Sequence, residues 1–221
     1  FQVRSSTSAP SGRGDVYAMK VIPCDTGSDK SAARARESAL AEARLLQGLR
    51  HPHIVNCSAV FFDESLKVVR IVLEYMDGGD LQGVLAARRE AGGHLPSAHF
   101  SRRTLAAVGS ALAHVHGAGI LHRDVKPANI LLSRRSRRIK LSDFGIAKLV
   151  EATTLRANTL VGTPYYFSPE LVSGDEYGVP SDCWALGACL YEVASLHRPF
   201  EAANQLALIR KICEESPPNL P

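Results

Sequence analysis

Hydrophobic and polar positions alternate along the first third of the chain in the way that is typical of β-strands. Alternation over residues 15–22 and apolar runs over 55–62 and 67–75 predict three strands, the last two separated by a polar turn. Residues 1–4 could be the end of an earlier strand. The segment 31–49 is rich in Ala, Glu, Arg and Leu and therefore predicts a helix. The first third is thus predicted to be a small β-rich unit that contains one helix.

The pattern changes to a helical one after residues 77–79. Ser97 is expected to cap a helix whose apolar side chains recur on one face and which ends at Gly117 or Gly119. Ser181 is expected to open a second, nearly all-apolar helix over 182–194, and residues 203–214 predict a third, amphipathic one. We therefore predict an α+β fold with a small N-terminal lobe (1–73), a hinge (74–79) and a larger helical lobe (80–221).

Charge and cysteine usage narrow the class of protein. The net charge of +4 is too weak to argue for nucleic acid, although it is compatible with an anionic ligand. The basic run at 134–138 predicts a solvated turn, with a docking patch for an acidic partner as the alternative. Five scattered cysteines without a paired framework are typical of a reducing, intracellular compartment. No apolar run reaches the roughly 18 residues that a membrane span needs.

The candidate chemistry lies in His-Arg-Asp-Val-Lys-Pro-Ala-Asn at 122–129, followed by Asp-Phe-Gly at 143–145. Phosphoryl transfer needs positioning and charge neutralisation more than covalent help from the protein. Asp124 can orient a substrate hydroxyl and accept its proton, and Lys126 can stabilise the transferring group. Asn129 and Asp143 offer oxygen ligands of the kind that Mg²⁺ prefers. These two segments therefore fit magnesium-assisted phosphoryl transfer.

Two motifs of this form and order resemble those of the eukaryotic protein kinases. Within them the chain most resembles the NIMA-related (Nek) family, and the resemblance covers essentially the whole chain. Its motifs are Gly-Gly-Asp-Leu at 78–81, Asp-Phe-Gly-Ile-Ala-Lys at 143–148, Gly-Thr-Pro-Tyr-Tyr-Phe-Ser-Pro-Glu at 162–170 and Arg-Pro-Phe-Glu-Ala-Ala-Asn at 198–204. The resemblance implies transfer of the γ-phosphoryl group of ATP to Ser or Thr hydroxyls of protein substrates.

The resemblance also implies a nucleotide site. Lys20, in Tyr-Ala-Met-Lys, would contact the α- and β-phosphates, and Glu42 would orient it, with Glu37 as the competing candidate. Main-chain groups of Glu74 and Met76 would bind the adenine edge. Ala18 and Leu131 would pack on the two faces of the adenine, as its roof and floor, and Leu73 would be the gatekeeper side chain behind it. Asp80 would face the ribose or a substrate residue, or else cap the next helix.

Regulation is implied in the same way. Thr159 is the expected activating phosphorylation site, with Thr153 and Thr154 as lesser candidates, and Arg123 and Lys148 are the cations expected to bind its phosphate. Thr163 resembles the threonine that hydrogen-bonds Asp124 and Lys126 in Ser/Thr kinases. Asp182 matches the aspartate that ties the central helix to the catalytic-loop main chain.

Two departures from the family pattern accompany this resemblance. The Gly-rich phosphate loop is expected to fall before residue 1, and the chain stops before the family's last two helices, so the domain is truncated at both ends. Glu170 is therefore expected to lack its arginine partner. The alternatives are a pseudokinase-type binding scaffold and a small-molecule phosphotransferase. We expect a cytoplasmic protein without nucleic-acid or membrane partners, and the resemblance implies the centrosome, basal body or cilium and partners at microtubule-organising centres.

Overall fold

The structure of the chain is a computed structural model, which describes residues 2–4, 16–24, 36–37, 40–41, 43–45, 47–92, 95–144 and 164–220. It confirms the predicted α+β class, because an antiparallel sheet comes first and a helical part follows. The described positions between 36 and 48 are helical, in agreement with the predicted helix over 31–49. None of the helices in these described ranges is long and apolar enough to cross a membrane.

Four antiparallel strands form the N-terminal sheet, in the order β1-β2-β4-β3. Their bounds are β1 (Gln2–Arg4), β2 (Val16–Pro23), β3 (Cys57–Asp63) and β4 (Val68–Glu74). The three strands predicted from alternation differ from these only by one or two residues at their ends. Strand β4 lies between β2 and β3 and contributes the fully buried Val69 and Ile71 to the core. Burial of these β-branched side chains stabilises the centre of the sheet.

After the N-terminal sheet, the described chain contains five α-helices, a short 3-10 helix (Pro127–Asn129) and a two-stranded ribbon. The α-helices and strands are α1 (Leu81–Glu90), α2 (Ala98–Gly117), β5 (Ile130–Leu132), β6 (Ile139–Leu141), α3 (Pro169–Ser173), α4 (Val179–Ser195) and α5 (Gln205–Glu214). Ser97 caps α2 as predicted, since its side chain accepts a hydrogen bond from the N–H of Phe100. The predicted third helix is confirmed as α5, which begins at Gln205 after the capping residue Asn204.

Helix α4 begins earlier than predicted. Its first residue is Val179 and its N-cap is Gly178, so Ser181 lies inside the first turn and does not open the helix. Pro180 explains the difference, because proline is well tolerated in the first turn of a helix, where its missing N–H has no partner to lose. Asp182 is consequently part of the first turn, with its side chain fully buried.

The basic run at 134–138 is exposed along its whole length and forms the turn between β5 and β6, as predicted. All five cysteines are unpaired, and two of them, Cys183 and Cys213, are exposed. The hinge exit approaches β5 closely: the N–H of Gly78 donates to the carbonyl of Leu132 at 2.9 Å. A Cβ atom on Gly78 would lie 2.7 Å from that carbonyl oxygen, so this contact requires glycine.

Candidate active site

His122 organises the loop that joins α2 to β5. Its side chain is fully buried, its Nε2 lies 3.0 Å from the carbonyl oxygen of Ser142, and its Nδ1 accepts the N–H of Asp124 at 3.2 Å. Burial lowers the pKa of His122, and the nearby Asp182 carboxylate opposes this only in part. The imidazole is therefore neutral, with its proton on Nε2. Its ring also contacts the ring of Phe144, with centroids 4.6 Å apart.

The buried carboxylate of Asp182 holds the main chain of this loop. It accepts the N–H groups of His122 and Arg123, each at 2.9 Å, the hydroxyl of Tyr177 at 2.5 Å and a hydrogen bond from His116 Nε2 at 2.7 Å. Burial alone would raise the pKa of Asp182, but these hydrogen bonds hold it below its usual value. This contact confirms the predicted tie between the central helix and the loop.

Asp124, Lys126 and Asn129 lie in mutual contact. The Lys126 Nζ is 2.7 Å from Asp124 Oδ2, and the Asn129 Nδ2 donates to both Oδ2 and the main-chain oxygen of Asp124 at 2.8 Å. Arg123, just before Asp124, has a φ of +66°, in the left-handed region that non-glycine residues rarely occupy. Such strain persists only where surrounding contacts hold it, and the Asp182 hydrogen bond to Arg123 is one such contact.

A second pair of charges comes from opposite parts of the fold. Lys20, on β2, places Nζ 3.0 Å from Oδ1 of Asp143, which follows β6. Asp143 also has a positive φ, of +54°. Ser142 connects this pair to the loop, because its N–H and its hydroxyl both donate to the carbonyl of Asn129, at 2.9 and 3.1 Å. Glu42, predicted to orient Lys20, lies outside the described residues.

Two of the residues expected around the adenine lie on adjoining strands. Ala18 on β2 is the cross-strand neighbour of Leu73 on β4, and Leu131 on β5 bridges to Asp80. Asp80 Oδ1 accepts the N–H of Gly83 at 2.8 Å, so it caps α1, which is the alternative role predicted for it. Met76 is buried.

The protein kinase domain family matches residues 5–219 of the chain. The chain belongs to the protein kinase family. Its curated relatives include the serine/threonine-protein kinases Nek8 of Danio rerio, 42% identical over 177 residues, and Nek2 of Mus musculus, 39% identical over 184. Nek5 of Homo sapiens is 38% identical over 188 residues. These alignments cover 80%, 81% and 84% of the chain, and they confirm the predicted resemblance to the Nek kinases. The chain spans only 24%, 41% and 26% of the length of these relatives.

Sequence reasoning missed a buried ion pair behind the hinge of this kinase domain. Lys140 on β6 is almost fully buried, and its Nζ lies 2.6 Å from Oε2 of Glu74 and 3.3 Å from the carbonyl of Ile54. The same Glu74 oxygen accepts the N–H of Asn56 at 3.2 Å. The prediction concerned only the main chain of Glu74. The available signal was a lysine between the apolar residues of Ile-Lys-Leu, where a buried charge needs a partner.

A second missed network lies under the segment before α3. Glu192, in the otherwise apolar α4, accepts a hydrogen bond from Tyr166 at 2.6 Å and forms an ion pair with Arg89 of α1. Arg89 Nε also donates to the carbonyl of Leu196 at 2.6 Å. Burial, and then the Glu192 hydrogen bond, raise the pKa of Tyr166 well above its usual value. An acidic residue within an apolar helix was the sequence signal for this network.

The regulatory residues are described only in part. Thr153, Thr154, Thr159, Thr163 and Lys148 lie outside the described residues, whereas Arg123 places its guanidinium 5.9 Å from the centre of the Tyr177 ring. Glu37, the alternative to Glu42, is an exposed helical residue.

Glu170, which was expected to lack its arginine partner, accepts a hydrogen bond from the Ser181 hydroxyl at 2.5 Å. Burial would raise the pKa of Glu170, but several hydrogen bonds to the carboxylate, of which that from Ser181 is the strongest, together lower the pKa below its usual value. Within the described part of the chain, the Ser181 hydroxyl is thus a hydrogen-bond partner of the Glu170 carboxylate, and no arginine forms an ion pair with it.

Proposed function

We propose that this domain transfers the γ-phosphoryl group of ATP, in the presence of Mg²⁺, to Ser or Thr hydroxyls of protein substrates. The observation that supports this best is that Asp124, Lys126 and Asn129 converge in one contact set, while Lys20 and Asp143 converge in another. Ser142 joins the two sets. Phosphoryl transfer needs such an arrangement of a carboxylate base, fixed cations and oxygen ligands.

The donor groups fit magnesium and a polyphosphate. The Nδ2 of Asn129 is committed to Asp124, so its amide oxygen is the atom left for a hard cation, and Asp143 offers a half-exposed carboxylate. Lys20 would bind phosphate oxygens in place of Asp143, and Asp143 would then be free to bind the cation. The bound metal supplies neutralisation of the phosphate charge. We further propose that Ala18, Leu73, Leu131 and the main chain of Glu74 and Met76 hold the adenine, with Asp80 near the ribose.

The proposed step uses Asp124 and Lys126 together. Asp124 orients the acceptor hydroxyl and takes its proton as the hydroxyl oxygen bonds to the γ-phosphorus and the bond to ADP breaks. Lys126, 2.7 Å from Asp124 Oδ2, carries the positive charge that stabilises the transferring group. The presence of Lys126 two residues after the base, and of Thr163, favours Ser/Thr over Tyr acceptors.

Activation is proposed to depend on phosphorylation of Thr159, with Thr153 and Thr154 as lesser candidates. Arg123 and Lys148 would bind its phosphate, and Glu42 would orient Lys20. The support for Arg123 is that its guanidinium, which lies beside Tyr177 and one residue before the base, forms no ion pair with any of the described residues. A phosphate of charge of about −1.5 to −2 would accept charge-assisted hydrogen bonds from both cations and order the segment.

The test uses the full-length protein with ATP, Mg²⁺ and a generic protein acceptor, compared with small-molecule acceptors. Asp124→Asn should abolish phosphate transfer and leave thermal unfolding unchanged within about 2 °C. Asp175→Asn, in an exposed turn, is the matched control and should keep wild-type activity. Full activity of Asp124→Asn, or transfer only to small molecules, would contradict the proposal. Nucleotide binding without any transfer would instead favour the scaffold alternative.

Location and partners are proposed from the resemblance. We expect the full-length protein in the cytoplasm, with protein partners at the centrosome, basal body or cilium and with no nucleic-acid or membrane partner. Imaging of the tagged full-length protein against centrosomal and ciliary markers tests this. A nuclear or membrane-bound distribution would contradict it.

A further inference from the structure

A cavity of about 420 Å³ opens beside the proposed base. Among the described residues it is lined by Asp124 and Lys126 of the catalytic loop, by Gln82 of α1, by residues 165–168 and by Arg198. None of the described residues proposed to hold the nucleotide, such as Ala18 or Leu73, lines it. The cavity therefore lies on the acceptor side of the base, where a protein substrate would approach.

The charge of this cavity is positive. Its lining within the described ranges contains one acidic residue, Asp124, which is already paired with Lys126 at 2.7 Å. Arg123 and Arg198 also line it, and neither forms an ion pair with any residue that the structure describes. As far as the described residues show, two guanidinium groups thus share one cavity without a counter-charge, which favours an anionic occupant.

Arg198 is held in a defined orientation although none of the residues that the structure describes is its counter-ion. Its guanidinium lies 3.7 Å from the centre of the Tyr165 ring, and its Nε is buried without a hydrogen-bond partner. Glu192 accepts a hydrogen bond from Tyr166, the neighbour of Tyr165, but its ion-pair partner is Arg89. A guanidinium that is stacked on an aromatic ring and has no ion-pair partner among the described residues is preorganised to donate charge-assisted hydrogen bonds from its terminal nitrogens to a carboxylate or phosphate.

We propose that Arg198 is a specificity-determining residue that binds an anionic side chain of the protein substrate, either Asp, Glu or a phosphorylated Ser or Thr, close to the acceptor hydroxyl. This inference rests on the proposed kinase function. It differs from the role proposed for Arg123, which concerns a phosphate on the domain's own segment. An extended peptide advances about 3.3 Å per residue. Because Asp124 and Arg198 line one cavity, the anionic residue lies within a few positions of the acceptor.

The experiment is a positional scan with the full-length kinase on Ser peptides. Asp, Glu, phosphoserine, Gln or Lys replaces Ala at each of about five positions on either side of the acceptor, and kcat/KM is measured. We expect the anionic residues to raise kcat/KM about tenfold over Gln at one or two adjacent positions. This tenfold change corresponds to the energy of one charge-assisted contact, and it should arise chiefly from a lower KM. Lys at these positions should be the poorest residue.

Three variants separate charge recognition from a purely structural role. Arg198→Met keeps an apolar stem over Tyr165 and should reduce the anionic preference to less than about twofold. Arg198→Lys should keep part of the preference, because the charge remains while the planar fork is lost. Arg135→Met, in the exposed turn at 134–138, is the matched control and should retain both the preference and the activity. Thermal melting verifies that each variant is folded.

The outcomes distinguish this inference from the function on which it rests. Absence of transfer to every peptide overturns the proposed function and this inference together. Efficient transfer without an anionic preference, or an anionic preference that survives in Arg198→Met, overturns the inference alone. The same applies if Arg198→Met alters only the response of the kinase to phosphatase treatment, because Arg198 would then bind the domain's own phosphate.

Discussion

The carboxylate of Asp182 accepts a hydrogen bond of 2.9 Å from the main-chain N–H of Arg123, 59 residues earlier in the chain. Arg123 has a positive φ and directly precedes the proposed base Asp124. Asp182 thus fixes the conformation from which Asp124 extends, in agreement with the tie that the resemblance implied. Helix α4 therefore holds the main chain of the loop at 122–129 in place through the Asp182 carboxylate.

Asp182→Asn should destabilise the domain by roughly 3 kcal/mol and reduce its activity. The amide keeps one acceptor oxygen but turns an NH₂ group toward donors that are buried, and each unsatisfied buried donor costs about 1–3 kcal/mol. Chemical denaturation measures the free energy of unfolding. Asp175→Asn is the control, since its side chain is exposed. A decrease in the free energy of unfolding of less than about 0.5 kcal/mol, the usual range for a surface substitution, would show that the Asp182 carboxylate does not stabilise the loop.

Asp143→Ala should abolish Mg²⁺-dependent transfer while the domain stays folded. The Asp143 side chain is about half exposed, at 46%, and pairs with Lys20, so its loss removes a charge from the site and little packing from the core. Activity and thermal melting are measured on the same preparation. Asp175→Ala is the matched control. Retention of more than a few per cent of the wild-type rate would refute the assignment of Asp143 as a metal ligand.

Glu74→Gln should destabilise the domain by roughly 1–2 kcal/mol, because the buried ammonium of Lys140 keeps a hydrogen-bond acceptor but loses its counter-charge, and water at the 33% exposed Glu74 side chain offsets part of that loss. The Km for ATP should rise as well, since Glu74 lies at the proposed adenine edge. Lys140→Met should cost less, because it removes the buried charge itself. The loss of unfolding free energy in the double variant should be well below the sum of the losses in the two single variants. If denaturant titrations of the four proteins in this double-mutant cycle showed strictly additive losses, Glu74 and Lys140 would not stabilise each other.

Stability should fall as the pH drops below about 6.5, the usual histidine pKa, because His122 and His51 both have lowered pKa values. Burial is the main cause for each, and for His51 the stacked His114 adds to it, with ring centroids 5.0 Å apart. A lowered folded-state pKa means that the unfolded chain binds more protons in this range. Stability is therefore complete above the unfolded pKa and is lost below it.

Denaturation at a series of pH values between about 5 and 8 tests this, since each histidine adds a slope of at most about 1.4 kcal/mol per pH unit. His51→Gln should flatten the curve, whereas His99→Gln, at an exposed position, should not. Carboxylates with lowered pKa values, such as Asp182, contribute a separate loss near or below 3.8, their usual pKa. A flat profile down to pH 5 would contradict the prediction.

Local sequence patterns were sufficient for most of the fold. Alternation located the strands around Val16–Pro23, Cys57–Asp63 and Val68–Glu74, and Ser97 located the start of α2. These features depend on residues that are neighbours in the chain, so their signal is complete in a short window. The start of α4 was predicted too late because the apolar run begins after Pro180, whereas the first turn needs no apolar residue.

By itself the sequence determined the α+β class, the chemical groups at residues 122–129 and 143, and the resemblance to the protein kinases. The tertiary structure alone decided how those groups are held. Glu74 pairs with Lys140, Glu192 contacts Tyr166 and Arg89, and Arg198 lines the same cavity as Asp124 without an ion-pair partner in the described part of the chain. The physical reason is that a buried charge takes its partner from whatever element packs against it. That choice depends on distances between elements far apart in the chain, which no periodicity within one element encodes.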